Sequence, residues 1–295
     1  MTHICGIIVT YEPDFNVLAK LISAITHQID ELVVIDNASK LRYVQDQKIG
    51  TQINNTTNIG LAGAQNQGIN WAAKRGASHV LIFDQDSEPE NDMVKKLLDS
   101  ETWLLNHGYK VAAVGPVSID KSSGVANPFY GLDHCRYKKK YVPDFEGFIE
   151  ALFLISSGQL IRMDVLNLTG YMKEELFIDY IDMEWGLRAG ALGYKSYGVT
   201  FAKMFHSVGE NAMVIGDVRL PMHSPIRYYY MTRNALLLYF SCKYPTRWIM
   251  ADIAVLTRRT IVASILYSPR GKNINNILLG IFHGIFGRAG PKLKN

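Results

Sequence analysis

His79-Val-Leu-Ile-Phe-Asp-Gln-Asp-Ser87 is the stretch on which the fold turns. The run Val80–Phe83 is apolar without a break and ends at Asp84, at the head of Asp84-x-Asp86. A short unbroken apolar run that stops at polar turn residues predicts a strand buried on both faces, here His79–Phe83. The same form recurs at Ile4–Val9, which runs into Thr10-Tyr11-Glu12, and at Leu32–Ile35, which runs into Asp36-Asn37-Ala38-Ser39. Val111–Val114 predicts a further strand. Between them lie segments of helical period: Asp14–Gln28, with Phe15, Leu18, Leu21, Ile22 and Ile25 on one face, then Leu61–Arg75 and Asn91–Asn106. Strands alternating with helices of this length predict an α/β fold with a mostly parallel sheet and helices on both faces.

Downstream the pattern loosens. Ser118–Gly147 reads as irregular and carries the Lys138–Lys140 run, Ala151–Ile155 as a strand before Ser156-Ser157-Gly158, Asp182–Leu192 as a helix and Tyr194–Val199 as a strand. After Pro225 come long apolar helices at Ile226–Cys242, Thr246–Tyr267 and Ile274–Phe286. A boundary is expected near residue 220, with an α/β domain over 1–220 and an apolar, basic helical region over 221–295.

Of the 295 residues, 48% are hydrophobic and 20% charged, a balance that excludes a disordered or fibrous chain. Cys5, Cys135 and Cys242 form no CxxC pair, so neither a disulfide framework nor a multi-cysteine zinc site is expected, and a reducing, cytoplasmic setting fits. The first residues lack a basic n-region, and no run approaches the ~18 apolar residues of a simple span. From Lys243 onward nine Lys or Arg stand against one acid, Asp252. A basic tail on a mildly acidic body predicts an anionic partner. Its richness in Ile, Leu and Phe favours a membrane surface over nucleic acid, with pairing of two chains through these helices as the alternative.

In open α/β sheets ligands sit outside the carboxyl ends of the strands. Thr10–Glu12, Asp36–Ser39 and Asp84–Ser87 all fall there, and their convergence predicts one crevice. Asx and Ser residues also end strands and cap helices for purely structural reasons, so each cluster alone says little. No Gly-x-Gly-x-x-Gly turn follows the first strand and no Gly-x4-Gly-Lys-Ser/Thr occurs, which removes the usual dinucleotide and P-loop readings. Asp84-x-Asp86 offers two carboxylates to a hard divalent ion, whose shell phosphate and water would complete.

Ile7-Ile-Val-Thr-Tyr-Glu-Pro13, Val33-Val-Ile-Asp-Asn-Ala-Ser39, Asn58-Ile-Gly-Leu-Ala-Gly-Ala-Gln-Asn66 and Phe83-Asp-Gln-Asp-Ser87 occur in that order. So do Ser156-Ser-Gly158, Phe177-Ile-Asp-Tyr-Ile-Asp-Met-Glu-Trp-Gly-Leu-Arg188 and Arg227-Tyr-Tyr-Tyr-Met-Thr-Arg-Asn234. Together they resemble the inverting family 2 glycosyltransferases, and within them the bacterial rhamnosyltransferase branch, over roughly residues 3–240. The resemblance implies a Rossmann-like GT-A fold and a metal-assisted single displacement of one sugar from a nucleoside diphosphate. It implies Mg²⁺ or Mn²⁺ on Asp86, with Asp84 on the ribose or supporting the metal, and His206 as a further metal or diphosphate contact. Asp36 would accept the N3–H of uracil or thymine, with Thr10, Tyr11, Glu12, Asn37 and Gln85 around the nucleotide. Asn58, Gly60, Gly63 and Asn66 would let backbone approach the ligand, their small neighbours serving helix packing equally well.

Asp182 aligns with the family's catalytic base, but Ile181 stands where that pattern has Glu; Asp179, three residues earlier, is the reserve. Glu184 and Arg188 read as an ion pair on a helix surface. Ser157, Gly158, Arg227 and Arg233 are expected at the acceptor or at a diphosphate. The donor implied first is dTDP-L-rhamnose, with a UDP-hexose or UDP-galactofuranose as the alternative, and the acceptor a lipid-diphosphate-linked saccharide of a surface polysaccharide such as O-antigen. This places the chain at the inner face of the cell membrane. A non-catalytic nucleotide-sugar-binding protein is the rival from another class.

Overall fold

The computed structural model describes residues 2–41, 50–121, 123–143, 145–206, 212–215 and 218–292, with side chains except at 206, 212–215 and 218–221. The chain forms two compact units. The first comprises Met1–Gly131, Lys139–Glu174 and Asp182–Ser207; the second comprises Leu132–Lys138, Glu175–Ile181 and Val208–Asn295.

In the first unit the elements follow as β1 (Ile4–Thr10), α1 (Phe15–Ile25), β2 (Glu31–Asp36), β3 (Thr51–Asn54), α2 (Gly60–Ala73), β4 (His79–Asp84), β5 (Ser87–Pro89), α3 (Met93–Asn106) and β6 (Val111–Asp120). The hairpin β7 (Phe129–Asp133) and β8 (Arg136–Lys140) comes next, its tip grouped with the second unit. Then come β9 (Phe148–Ala151), β10 (Gln159–Arg162), α4 (Met163–Thr169), α5 (Ile181–Ala191) and β11 (Lys195–His206). The nine-stranded sheet runs β3-β2-β1-β4-β10-β6-β11-β5, with β9 also on β11. Strands β1, β2, β3 and β4 pair in parallel, as do β6 and β11. Antiparallel β10 sits between β4 and β6, and β5 and β9 pair antiparallel with β11.

Both faces are covered. Every residue of β1 is buried. On one face Ile8, Val34, Leu81 and Phe83 meet Leu18, Leu21, Ile22 and Ile25 of α1 and Leu97 and Leu104 of α3. Phe15 departs from the expected stripe and is exposed. On the other face α2 lies so close that a Cβ on Gly68 would stand 2.4 Å from Ile7 Cγ2. Such proximity needs the small residues that α2 supplies, and Ala62, Ala64 and Ala72 are fully buried.

The strand read at Ala151–Ile155 is instead β9, ending at Ala151, followed after the Ser156–Gly158 turn by β10. The stretch read as irregular, Ser118–Gly147, holds the end of β6 and the β7–β8 hairpin. Glu184 and Arg188 do pair, but Glu184 is 0% exposed and Arg188 also donates to the carbonyls of Thr169, Gly170 and Tyr171, so the pair is an internal tie.

The second unit holds β12 (Ala212–Ile215), β13 (Val218–Pro221), α6 (Pro225–Phe240), α7 (Thr246–Ile265) and α8 (Arg270–Ile285). Helices α6 and α8 meet at glycines: a Cβ on Gly280 would stand 2.0 Å from Thr232 Oγ1, and one on Gly284 2.7 Å from Leu236 Cβ. The two upstream pieces join this unit through polar ties. Tyr137 and Tyr180 hydroxyls both donate to Asp252, as does Tyr239 of α6. Asn234 Nδ2 donates to the carbonyls of Leu176, Ile178 and Asp179. Among the described residues no helix is long and apolar enough to cross a membrane.

Candidate active site

Parallel register brings three carboxyl ends together: Thr10 lies opposite Asp36, and Val9 opposite Asp84. The turn after β2 closes on its own acid. Asp36 Oδ1 accepts from Thr10 Oγ1 (3.2 Å) and Ser39 Oγ (2.5 Å), while Oδ2 accepts from Ser39 N (3.1 Å). Ala38 reverses the chain at φ 69°. Asp36 is 1% exposed, and Oδ2 uses one of the two bonds it can accept.

The other loops are tied to this turn. Glu12, at φ 48°, donates its N–H to Ser39 Oγ (2.9 Å), and its carboxylate accepts from Lys40 N. Gln85 spans back to the first loop: its Oε1 accepts from Tyr11 N (2.8 Å) and its Nε2 donates to Tyr11 O. Asn37 pins the start of α2, donating to Asn58 Oδ1 and Gly60 O and accepting from Ile59 N. Gly60 sits at φ 84°, a conformation glycine adopts at no steric cost. Gly63 packs on Ile59, where a Cβ would come within 3.2 Å. Asn66 is turned elsewhere and bonds both ways with the Met172 backbone.

The Asp84–Asp86 turn is held from the opposite side. Asp84 N donates to Ser157 Oγ (3.1 Å), which also meets Ser87 Oγ, and Ser156 N donates to Asp182 Oδ2 (3.1 Å). Two adjacent serines thus connect the acidic turn to Asp182, at the start of α5. Gly158 closes this turn at φ 77°, where a Cβ would collide with Pro116 at 2.7 Å. His206 ends β11 opposite Ser87 and opposite Asp120, so its backbone adjoins the acidic turn; its side chain lies outside the described residues. Asp84, Gln85 and Asp86 are half-buried. Two carboxylates on a tight turn at a strand end are a hard oxygen donor set, and that chemistry fits Mg²⁺ or Mn²⁺.

The sequence places Ser39 and Ser156 in polar clusters without assigning them a role, and it does not mark Asp120. Ser39 Oγ accepts from Glu12 N and Ser156 N donates to Asp182 Oδ2, contacts so distant in the chain that they have no spacing signature. Asp120 ends the ten-residue β6, whose apolar character continues past Val114, a signal that was available. Asp179, Arg227 and Arg233 belong to the second unit. Arg227 makes a two-bond pair with Asp179, Nη2 to Oδ1 at 2.6 Å and Nε to Oδ2 at 3.3 Å. Arg233 is 0% exposed and donates to the carbonyls of Glu175, Leu176 and Gly290 and to Asn234 Oδ1. Those contacts engage its guanidinium with the second unit itself.

A model described as glycosyl transferase family 2 matches residues 6–169. The dTDP-rhamnosyl transferase RfbF of Shigella flexneri is 35% identical over 242 residues, covering 80% of each chain. Among solved structures, S. aureus TarS 1-349 superposes with a TM-score of 0.59 at 14% identity, over 96% of this chain and 81% of that one. The same protein with UDP-GlcNAc gives 0.57 at 13% identity, over 95% and 82%. GalNAc-T7 with UDP, GalNAc and Mn²⁺ gives 0.58 at 13% identity, over 88% of this chain and 54% of that one. At such identities the structures speak to the fold, which is that of the GT-A glycosyltransferases.

Proposed function

The chain belongs to glycosyl transferase family 2 and is a glycosyltransferase, and from that premise we propose that it moves L-rhamnose from dTDP-L-rhamnose, with inversion, onto a lipid-diphosphate-linked saccharide of a bacterial surface polysaccharide. The observation that carries the donor is the 35% identity with a dTDP-rhamnosyl transferase over 80% of both chains. The nucleotide lies against the Thr10–Glu12 and Asp36–Ser39 turns, with Asp36 Oδ2 accepting the N3–H of thymine. Asp84 and Asp86 would hold Mg²⁺ or Mn²⁺, which would supply positive charge to neutralise the leaving diphosphate. Asp182, oriented by the Ser156 N–H, takes the proton of the acceptor hydroxyl as its oxygen bonds to the sugar C1. The bond from C1 to the phosphate oxygen breaks on the opposite face, and dTDP departs.

The exposed residues of α7 and α8 support an acceptor held at a membrane surface. Ile253, Ile261, Ile265, Leu278, Phe282 and Phe286 are exposed, and Arg258, Arg259, Arg270, Lys272 and Arg288 are exposed with them. Apolar and basic side chains on helices not both long and apolar enough to cross a membrane suit an interfacial position at the cytoplasmic leaflet. Purified protein assayed against dTDP-L-rhamnose, UDP-hexoses and UDP-galactofuranose, with Mg²⁺ or Mn²⁺ and lipid-diphosphate saccharides, tests the reading. Turnover of dTDP-L-rhamnose alone supports it. Preference for a UDP-sugar overturns the donor, and absence of turnover with any donor restores the non-catalytic reading.

A further inference from the structure

At the amino ends of the strands, away from the carboxyl ends that carry the acidic turn, His3, Cys5 and Glu31 come together. His3 and Cys5 are two apart along one extended segment and share a face of the sheet, and Cys5 lies opposite Glu31 in the β1–β2 register. One ligand atom from each lies within 4.8 Å of the others, and His3 Nε2 stands 3.2 Å from Glu31 Oε1. The cysteine is fully buried, whereas the side chains of His3 and Glu31 are 28% and 37% exposed, so the cluster opens to solvent on one side.

The surroundings fix the donors. His3 is held by its backbone, donating its N–H to Ser78 Oγ and accepting on its carbonyl from Ser78 and His79. The other Glu31 oxygen, Oε2, accepts from Arg75 Nε at 2.9 Å, and that guanidinium lies 3.9 Å over the Trp71 ring. Arg75 thereby orients the carboxylate with Oε1 toward His3 and Cys5. Outer contacts of this kind set the direction of a metal-binding carboxylate.

We propose that His3, Cys5 and Glu31 form a zinc(II) site, with Cys5 Sγ, a His3 ring nitrogen and Glu31 Oε1 as ligands and a fourth position open to water. The donor set decides the metal: sulfur, imidazole and one carboxylate suit zinc, whereas Mg²⁺ and Mn²⁺ select the oxygens of Asp84 and Asp86. Bonds of ~2.0–2.3 Å set tetrahedral edges of roughly 3.3–3.8 Å, so closing the cluster needs a shift of about 1 Å. The half-exposed imidazole and carboxylate can make that shift. Charge also balances, because the zinc ion meets the Cys5 thiolate and Glu31, with Asp30 nearby offsetting Arg75. In the metal-free chain, burial and the neighbouring Glu31 push the thiol up to about 12, leaving it protonated and inert. Metal binding replaces that proton on sulfur and ties the start of β1 to the start of β2.

The test uses full-length protein carrying Cys135→Ser and Cys242→Ser, which leaves Cys5 as the sole thiol. Zn²⁺ is titrated against a chromophoric chelator in excess Mg²⁺, and Co²⁺ is added separately as a spectroscopic probe. The expected result is one tightly bound zinc, a sulfur-to-cobalt charge-transfer band, and a rise in melting temperature with zinc. His3→Gln and Glu31→Gln, at half-exposed positions that tolerate change, should each weaken zinc at least tenfold, and Cys5→Ala should abolish the band. Zinc bound without a sulfur band, equal affinity in the His3 and Glu31 variants, or no stoichiometric zinc would overturn the site. Any of these leaves a His3–Glu31 contact over an inert thiol. Sugar transfer enters none of the readouts, so the result is independent of the proposed donor.

Discussion

The loops at the carboxyl ends of β1, β2 and β4 and the segment 175–181 of the second unit are both held by polar contacts, and both hold non-glycine residues at positive φ. Glu12 and Ala38 do so in the first, Phe177, Asp179 and Tyr180 in the second. They differ in where their polar groups are spent. In the first, neutral groups (Ser39, Gln85, Asn37 and Ser157) share the backbone contacts with Asp36 and Glu12, and Asp84, Gln85 and Asp86 stay half-buried with Tyr11 52% exposed. In the second, the charged groups themselves do the holding: Arg233 is wholly buried on three carbonyls, Arg227 grips Asp179, and Asp252 takes three tyrosine hydroxyls. In the first region half-buried acids stand at a strand end, whereas in the second the charged groups are buried in contacts with the chain itself.

That contrast breaks if the wrong residues control turnover. Asp182→Asn should lower kcat by ~10²–10⁴-fold with dTDP affinity unchanged, the cost of removing a general base. Should Asp179→Asn be the inactive variant and Asp182→Asn the working one, the Arg227 pair is part of the chemistry and the division fails. Asp86→Ala and Arg233→Ala sharpen it as a pair. The first should lose ~10²-fold or more in metal-dependent rate with an unchanged denaturation midpoint. The second should lose roughly 3 kcal/mol of stability, because buried carbonyls are left without donors. Midpoints in urea and rates measured on the same samples decide both.

The tyrosines around Asp252 supply a pH signature. Burial, then the Asp252 carboxylate, raises Tyr137, Tyr180 and Tyr239 well above the ordinary tyrosine value. A folded-state value above the unfolded one gives stability that is complete below pH ~10 and falls as pH rises, because only the unfolded chain then loses the proton. The slope is about 1.4 kcal/mol per pH unit for each tyrosine. Denaturation between pH 9 and 11.5 should therefore show a steeper alkaline loss for the wild type than for Tyr180→Phe. Identical slopes would remove Tyr180 from the knot.

The smallest effect concerns the tail. Removing it whole is uninformative, because α8 packs on α6 through Gly280 and Gly284, and Lys292 N donates to Tyr230. Arg258→Gln and Arg259→Gln are exposed and should each weaken co-sedimentation with anionic liposomes by about 1 kcal/mol, with dTDP binding untouched. Wild-type protein that ignores such liposomes at low salt but dimerises would assign these helices to a second copy.

The sequence by itself determined the long buried strands, the helices between them and the three polar clusters at strand ends. Runs such as Ile4–Val9 and Val80–Phe83 announce burial on both faces, and polar residues just beyond them mark where such strands stop. Strands of three or four residues, β3, β5, β9 and β10, carry too little pattern to be read, and only pairing reveals them. With them went the antiparallel step between β4 and β6 and the register that sets His206 opposite Ser87. Tertiary structure alone separated Arg233 from Arg227, buried Glu184, and brought His3 and Cys5 to Glu31 across two strands. The reason is physical: periodicity reports which face of an element is apolar, whereas the use of a polar group depends on which partner, distant in the chain, the fold delivers to it.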